Sequence, residues 1–367
     1  MASFRNLLLL YGLWLASGIS SGGLFEVYFF NLGLDQAQIL LANSLWFIAP
    51  LLLIPLFKKI EIKKFMTIGI CTSLLGVILL YLFPYTSLAY VFRTLAGIPI
   101  FFFWIPFNII YYEFRKENSA FLGAIYFSMG PIISLVLPFI SGWIASVLGF
   151  GSLFILSMIL YILTLICLKF IHEVPSEEYD FLNTINSISG LRSIIFIEGF
   201  AVAVLTSVVL EVMLLNFITN PLDFGAFTSL VTIFSVFATL IMAKISDKQK
   251  NRRIFLLPSA IAIGIFTIFT AQSKNIEMFF LGFSLINFFS RIFYPLPLAI
   301  LADNTKKLHD SMIGREFFLN LGRACGAFFS YVLFQMSSFE TLLFVLGVMM
   351  LLYVPVFENR KKKLIHL

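Results

Sequence analysis

Apolar residues run along the chain in twelve blocks separated by short polar breaks. The blocks predict helices at about 5–30, 38–57, 65–83, 86–112, 119–147, 151–171, 193–217, 224–244, 253–272, 276–302, 311–336 and 340–357. Each is near the ~20 residues that a spanning helix needs. A β-barrel would instead alternate apolar and polar positions over ~10-residue strands. Most breaks carry turn residues: NLGLD, FPYTS, LGFGS, TNPLD and QSKN. The longest polar segment, HEVPSEEYDFLNTINSISG at 172–190, divides the helices into two sets of six. The expected organisation is an N-terminal six-helix bundle over 1–171, a linker over 172–191, and a second bundle with a basic tail over 192–367. The opening MASFRNLLLLYGLWLASGIS stays apolar to Phe30 with no clear cleavage site, which reads as the first spanning helix and not as a leader peptide.

Composition agrees: 60% of residues are hydrophobic, 12% are charged, 45 are Phe, and mean hydropathy is +0.98. A soluble domain of this size needs a largely polar surface, so the class is an all-α, polytopic membrane protein. Cys71, Cys167 and Cys325 lie far apart on apolar helices and form no CxxC pair; they read as small core residues. His172, His309 and His366 read as solvated loop or tail residues, with no metal site and no cofactor expected.

Lys and Arg concentrate at the N-terminus, in the breaks after helices 2, 4, 8 and 10, and in the tail. On the opposite side Lys274 stands out alone. That bias places both termini in the cytoplasm, in a plasma or inner membrane. It also accounts for the net charge of +6, so a nucleic-acid partner need not be invoked.

Six charged residues interrupt the apolar blocks: Glu26, Arg93, Glu198, Glu211, Arg291 and Arg323. Ionisable groups in a membrane face a water-filled path or a partner. The halves echo each other: Glu26-Val27-x-x-x-Asn31 matches Glu211-Val212-x-x-x-Asn216, and Arg115-x-x-x-Ser119 with Gly130 matches Lys307-x-x-x-Ser311 with Gly322. Repeated six-helix halves point to a transporter with its solute site between them. Counting ~1.5 Å per residue from the basic anchors puts Glu26 and Arg93 at one height, ~30 Å up, and Glu211 and Arg291 at heights within about one turn of each other. Glu198 falls roughly 220° around its helix from Glu211, which favours a local pairing. Arg315, Glu316 and Arg323, in SMIGREFFLNLGRACG, read as an ion-pair cluster at an inner gate. Asn43, Asn108, Asn287 and Asn320 are further polar groups within helices, able to bind solute or to bond between helices. The run Phe101-Phe102-Phe103-Trp104 is an aromatic wall or, the better expectation in so Phe-rich a chain, lipid-facing filler.

The break after helix 8 reads AKISDKQKNRR. It resembles the signature loop of the major facilitator superfamily, Gly-x-x-x-Asp-Arg/Lys-x-Gly-x-Arg/Lys-Arg/Lys. Asp247, Lys248, Arg252 and Arg253 match, while Ala243 and Lys250 replace the glycines. The equivalent loop after helix 2, IPLFKKIEIKK, is degenerate. Arg93-x-x-x-Gly97 is similar to the family's helix-4 motif, and Gly130-Pro131 partly matches the helix-5 motif of its antiporters, with Ser134 and Leu135 in place of a glycine pair. The resemblance implies a twelve-helix fold in two pseudo-symmetric bundles whose helices 1, 4, 7 and 10 line a cavity. It also implies a latch in which Asp247 faces a helix N-terminus while Lys248, Arg252 and Arg253 hold an anionic membrane surface.

On this reading Glu26 pairs with Arg93, and Glu211 with Arg291, as proton-coupling or cavity residues, with Asn108 and Asn287 beside them. The expected function is secondary transport of a small organic solute by alternating access, with proton-coupled export favoured and a monomer expected. Uptake of a sugar or organic anion, or a receptor or scaffold without transport, is the alternative. An enzyme is not expected: HExxH, G-x-S-x-G and a membrane-embedded His are all missing, and no P-loop supports direct ATP use.

Overall fold

The structure is a computed structural model that describes residues 4–115, 119–171, 176–246, 252–304 and 308–360, with side-chain surroundings given outside 112–125, 127, 240–246, 302–308 and 360. Among the described residues, twelve helices are long and apolar enough to cross a membrane. We number them as spans: 1, Phe4–Asn31; 2, Gln36–Leu56; 3, Ile62–Leu82; 4, Leu88–Tyr111; 5, Ser128–Leu148; 6, Phe150–Lys169; 7, Arg192–Leu214; 8, Pro221–Thr239; 9, Arg253–Ala271; 10, Ile276–Leu301; 11, His309–Met336; and 12, Phe339–Asn359. The expected boundaries agree within a few residues; the helix that carries span 5 starts at Ser119, as expected.

Local chemistry sets several ends. Asp35 accepts from the Gln38 amide while the Gln38 side chain accepts from the Asp35 amide, a capping box that starts span 2. Asn275 caps span 10 through the Met278 amide at 3.0 Å. The turns before spans 2 and 6 use Gly33 and Gly149 at φ +104° and +82°, a region that Cβ-bearing residues avoid.

Residue contacts group the chain into two compact units: Met1–Tyr179 with Ile218–Leu230, and Asp180–Phe217 with Val231–Leu367. In the first, span 1 packs on spans 5 and 6, span 3 on spans 4 and 6, and span 2 on span 4. The start of span 8 joins this unit through two glycines on facing helices. A Cβ on Gly142 would lie 2.3 Å from the Pro221 carbonyl oxygen, and one on Gly225 2.1 Å from that of Pro138. In the second unit, span 9 packs on spans 10 and 12, and span 11 on span 7.

The linker, read from sequence as a polar connector, contains ordered elements. Glu177–Glu178 (β2) pairs antiparallel with Lys59–Ile60 (β1) in the first unit. The Tyr179 hydroxyl donates to the Ile54 carbonyl at 2.6 Å. Burial pushes this phenol above its ordinary value, so it stays protonated and keeps donating. In the second unit Asp180 caps a short helix, Phe181–Ser187, which lies on span 11 where Gly314 approaches the Thr184 carbonyl.

Three expectations need correction. Phe101, Phe102 and Phe103 do not face lipid: all are buried within the first unit. A π-helical turn at Ile100–Trp104, following Pro99, turns them inward, with Phe103 stacked on Trp14 at 3.8 Å. Cys71 and Cys325 are exposed, and of the three cysteines Cys167 alone sits in the core. His309 opens span 11 beside Asp310, at 3.4 Å, instead of lying in a loop; His172 and His366 fall outside the described residues.

Candidate functional site

In the first unit Glu26 and Arg93 meet. Arg93 Nη2 lies 2.7 Å from Glu26 Oε1, with Glu26 0% and Arg93 4% exposed. Asn43, on span 2, donates its amide to the same oxygen at 3.2 Å. Three spans thus converge on one carboxylate. The Arg93 guanidinium also sits over the Phe25 ring, 3.5 Å from its centroid, and over Trp46 at 4.9 Å. Such cation–π contacts gain strength where water is excluded. Glu26 Oε2 has no hydrogen-bond partner among the described residues.

The frame around this cluster follows from the sequence. Pro50 lacks the amide that would bond Trp46, four residues earlier, which frees the Trp46 carbonyl and breaks span 2 at Phe47. Gly97, one turn beyond Arg93, fits against that carbonyl: an added Cβ would lie 2.1 Å from the oxygen. The Trp46 indole N–H donates to the Ala96 carbonyl at 3.0 Å. Gly97→Ala is therefore expected to push spans 2 and 4 apart at a cost of about 1–3 kcal/mol. Thermal unfolding followed by tryptophan emission checks this, since Trp46 is at the contact.

Asn108 lies further along span 4, half-buried, and accepts from the Tyr126 hydroxyl at 2.8 Å. Tyr126 stacks on Tyr11 with centroids 5.3 Å apart and rings 10° from parallel. Phe107 stacks on the same Tyr11 ring, with centroids 4.8 Å apart. The result is an aromatic wall with an amide at its edge.

In the second unit the buried acid is Glu198. It opens a π-helical stretch of span 7, Glu198–Ala203, and is 0% exposed. Arg315 donates to Glu198 Oε1 at 2.6 Å and to Glu316 at 3.2 Å. Arg323 donates to Asn320 Oδ1 at 3.2 Å, and Asn320 donates to the Glu316 carbonyl at 2.7 Å. Glu198 feels the charge of both Arg315 and Arg323. Glycines bring spans 7 and 11 together around this network: an added Cβ on Gly199 would stand 2.2 Å from the Leu319 carbonyl oxygen, and one on Gly322 2.2 Å from that of Phe196. Small residues at such seams let backbones touch where lipid supplies no hydrophobic drive.

Glu211 and Arg291 stand half-buried on spans 7 and 10, each engaged with neighbours. Asn287 bonds its own helix, at the Phe283 carbonyl, 3.0 Å away. Between these spans the Tyr294 and Thr206 hydroxyls bond at 2.7 Å, a contact that no sequence pattern signals. Phe25 and Trp46 were also missed as partners of Arg93. Their signal was positional: Phe25 adjoins Glu26, and Trp46 follows Asn43 by three residues, on the same helix face. Asp247 and Lys248 fall outside the described residues. Arg252 is half-buried and engaged with neighbours, and Arg253 forms an ion pair with Glu358 on span 12.

The Major Facilitator Superfamily profile matches residues 7–190 and again 191–364, one match per half. No curated protein gives a significant sequence match. Solved structures are similar in fold. A variant of the Escherichia coli fucose:proton symporter shows a TM-score of 0.71 at 12% identity, covering 97% of this chain and 98% of that one. A POT family transporter in complex with 5-aminolevulinic acid shows 0.73 at 12%, covering 98% and 97%. A POT family transporter in complex with a thioalcohol-conjugated peptide shows 0.74 at 12%, again covering 98% and 97%. With both halves matching the profile and the fold shared over nearly its whole length, the chain belongs to the major facilitator superfamily.

Proposed function

We propose that this chain exports a small organic solute by alternating access, coupled to protons, with Glu26 as the coupling carboxylate. One observation carries the reading: Glu26 is wholly buried on span 1, held through one oxygen by Arg93 and Asn43, and left with a second oxygen that has no partner among the described residues. A membrane-buried acid with an open oxygen is a place for a proton to arrive. In the ionised state Arg93 is its counter-charge. When a proton enters, Arg93 is released to seek another anion, which ties protonation to a change in helix packing.

Membership of the superfamily and the similarity in fold to a fucose:proton symporter support secondary transport driven by protons. The partial helix-5 motif Gly130-Pro131 supports export. Uptake is the second reading, favoured by that same symporter neighbour. The Glu211–Arg291 pair, with Asn287 beside it, would supply the matching element of the second half, and Asn108 with its aromatic wall would contact solute. Glu198, Arg315, Glu316 and Arg323 would serve as the gate on the side of the termini, and Asp247, Lys248, Arg252 and Arg253 as the latch. The orientation follows the Lys/Arg bias: both termini cytoplasmic, the chain a monomer in the plasma or inner membrane.

A thermal-shift screen of small organic solutes on the purified chain, run at about pH 6 and about pH 8, tests this, because a ligand that binds the folded state raises its melting temperature. The expected result is a set of solutes whose stabilisation differs between the two pH values. Silence across the library would contradict solute transport and favour a scaffold.

A further inference from the structure

Outside the site just described, the second unit carries a cleft of about 480 Å³ at the face bearing the loops between spans 9 and 10 and between spans 11 and 12. Its origin is visible in the helix packing. Spans 9 and 12 touch at Gly264 and Gly347, where an added Cβ on either would lie within 3 Å of the other's carbonyl oxygen. Beyond that contact the next turns present Ile268 and Phe344, and the turn after that presents Gln272 and Glu340. All four line the cleft, so the two helices meet at the glycines and open as a wedge toward the membrane boundary.

The wedge is layered. Ile268 lies one turn below Gln272, and Phe344 one turn inside Glu340. Phe344 is 52% exposed. The deep part is therefore apolar and open to the side, and the rim is polar, with Lys274 joining Glu340. Lys274 is the single Lys or Arg in the loops of this face, the face that the positive-charge bias otherwise keeps clear of cations. Among the described residues neither Lys274 nor Glu340 has an ion-pair partner, each other included. A cation and an anion thus face one cleft without neutralising each other. Glu340 stands in the first turn of span 12.

We propose that this wedge binds a zwitterionic phospholipid with a primary ammonium headgroup, phosphatidylethanolamine. Lys274 and the Gln272 amide meet the phosphate, the Glu340 carboxylate accepts from the ammonium, and one acyl chain runs between Ile268 and Phe344. The apolar floor argues for a lipid over a free zwitterion, because a soluble headgroup would leave it uncovered. The ammonium requirement follows from hydrogen bonding: a quaternary choline has no N–H to give Glu340. The inference is independent of the transported solute.

The test uses the purified full-length chain in detergent, titrated with phosphatidylethanolamine, phosphatidylcholine or phosphatidylglycerol of identical acyl chains, with bound copies counted by native mass spectrometry. The expected result is one phosphatidylethanolamine held about tenfold more tightly than phosphatidylcholine, the worth of one charge-assisted hydrogen bond. Glu340→Gln should abolish the preference, Lys274→Gln should weaken phosphatidylethanolamine and phosphatidylcholine alike, and Glu340→Lys should turn the preference toward phosphatidylglycerol. Both side chains are exposed, so melting temperature in detergent should stay unchanged in all three variants. Equal binding of the three lipids by the wild-type chain, or a preference surviving in Lys274→Gln/Glu340→Gln, would overturn the proposal. Displacement of the lipid by soluble O-phosphoethanolamine at similar concentration would overturn the lipid in favour of a free zwitterion.

Discussion

Arg93→Met is expected to cost about 3–5 kcal/mol of stability, the range found when one partner of a buried ion pair is removed. The loss comes less from the attraction given up than from the charge left behind. Glu26 is 0% exposed, and its remaining donor is the Asn43 amide at 3.2 Å. The cation–π contacts with Phe25 and Trp46 vanish in the same step. Methionine nearly fills the volume, so a cavity does not explain the effect. The control is Glu26→Gln/Arg93→Met, which leaves no uncompensated charge and should recover most of the loss. Melting curves of the purified variants in detergent distinguish these outcomes; a double variant as unstable as Arg93→Met would show that packing, not charge, holds the cluster.

The second large effect is expected at Arg315→Met. Glu198 is equally buried, but here the loss should be smaller, about 2–4 kcal/mol on the same reasoning. Arg323 also acts on Glu198 and remains in the variant. The Arg315 side chain is more open than that of Arg93, 11% against 5%, so water screens part of the change. Glu316 loses its own contact with Arg315, which adds repulsion between two acids. Glu198→Gln should relieve most of the defect in the double variant. If Arg315→Met melts like the wild-type chain, the network contributes no measurable stability and an essential gate pair at this position is ruled out.

These two pairs show what the amino-acid order encodes and what it hides. The twelve spans were legible because lipid demands ~20 apolar residues in a row and leaves a strong signature. The meeting of Glu26 and Arg93 was legible from rise per residue, which put them at one depth, together with the family resemblance, which put spans 1 and 4 at one cavity. Glu198 was read as locally paired, yet its partner on span 11 could not be named, because depth alone does not say which helix lies against span 7. The choice is made by the seam of Gly199 and Gly322, which fixes how spans 7 and 11 lie against each other. π-helical turns at Ile100–Trp104 and Glu198–Ala203 were invisible, because they arise from tertiary packing and not from residue preference. That is why the Phe101–Phe103 run, apolar enough for lipid, is instead turned into the core. Likewise the strand pairing of Glu177–Glu178 with Lys59–Ile60 involves two residues on each side, too short for any periodic signal.

The buried acids of the two units differ in a way that bears on mechanism. Glu26 has one cation and one amide around it, whereas Glu198 stands in a network with Arg315, Glu316, Asn320 and Arg323. A carboxylate within a dense network is held by several charges at once, and the arrival of one proton changes little. A carboxylate with one counter-charge is poised to switch, because protonation releases that one partner. This contrast is the reason for assigning coupling to Glu26 and gating to the Glu198 cluster.

The most direct measurement takes a solute found by thermal shift and compares wild-type and Glu26→Gln chains in proteoliposomes, following flux driven by a pH gradient and solute exchange without one. Glutamine keeps the shape and the hydrogen-bonding reach but cannot gain or lose a proton. The account predicts that Glu26→Gln abolishes gradient-driven flux while exchange persists at a rate within about tenfold of wild type. Gradient-driven flux that survives unchanged in Glu26→Gln would contradict it.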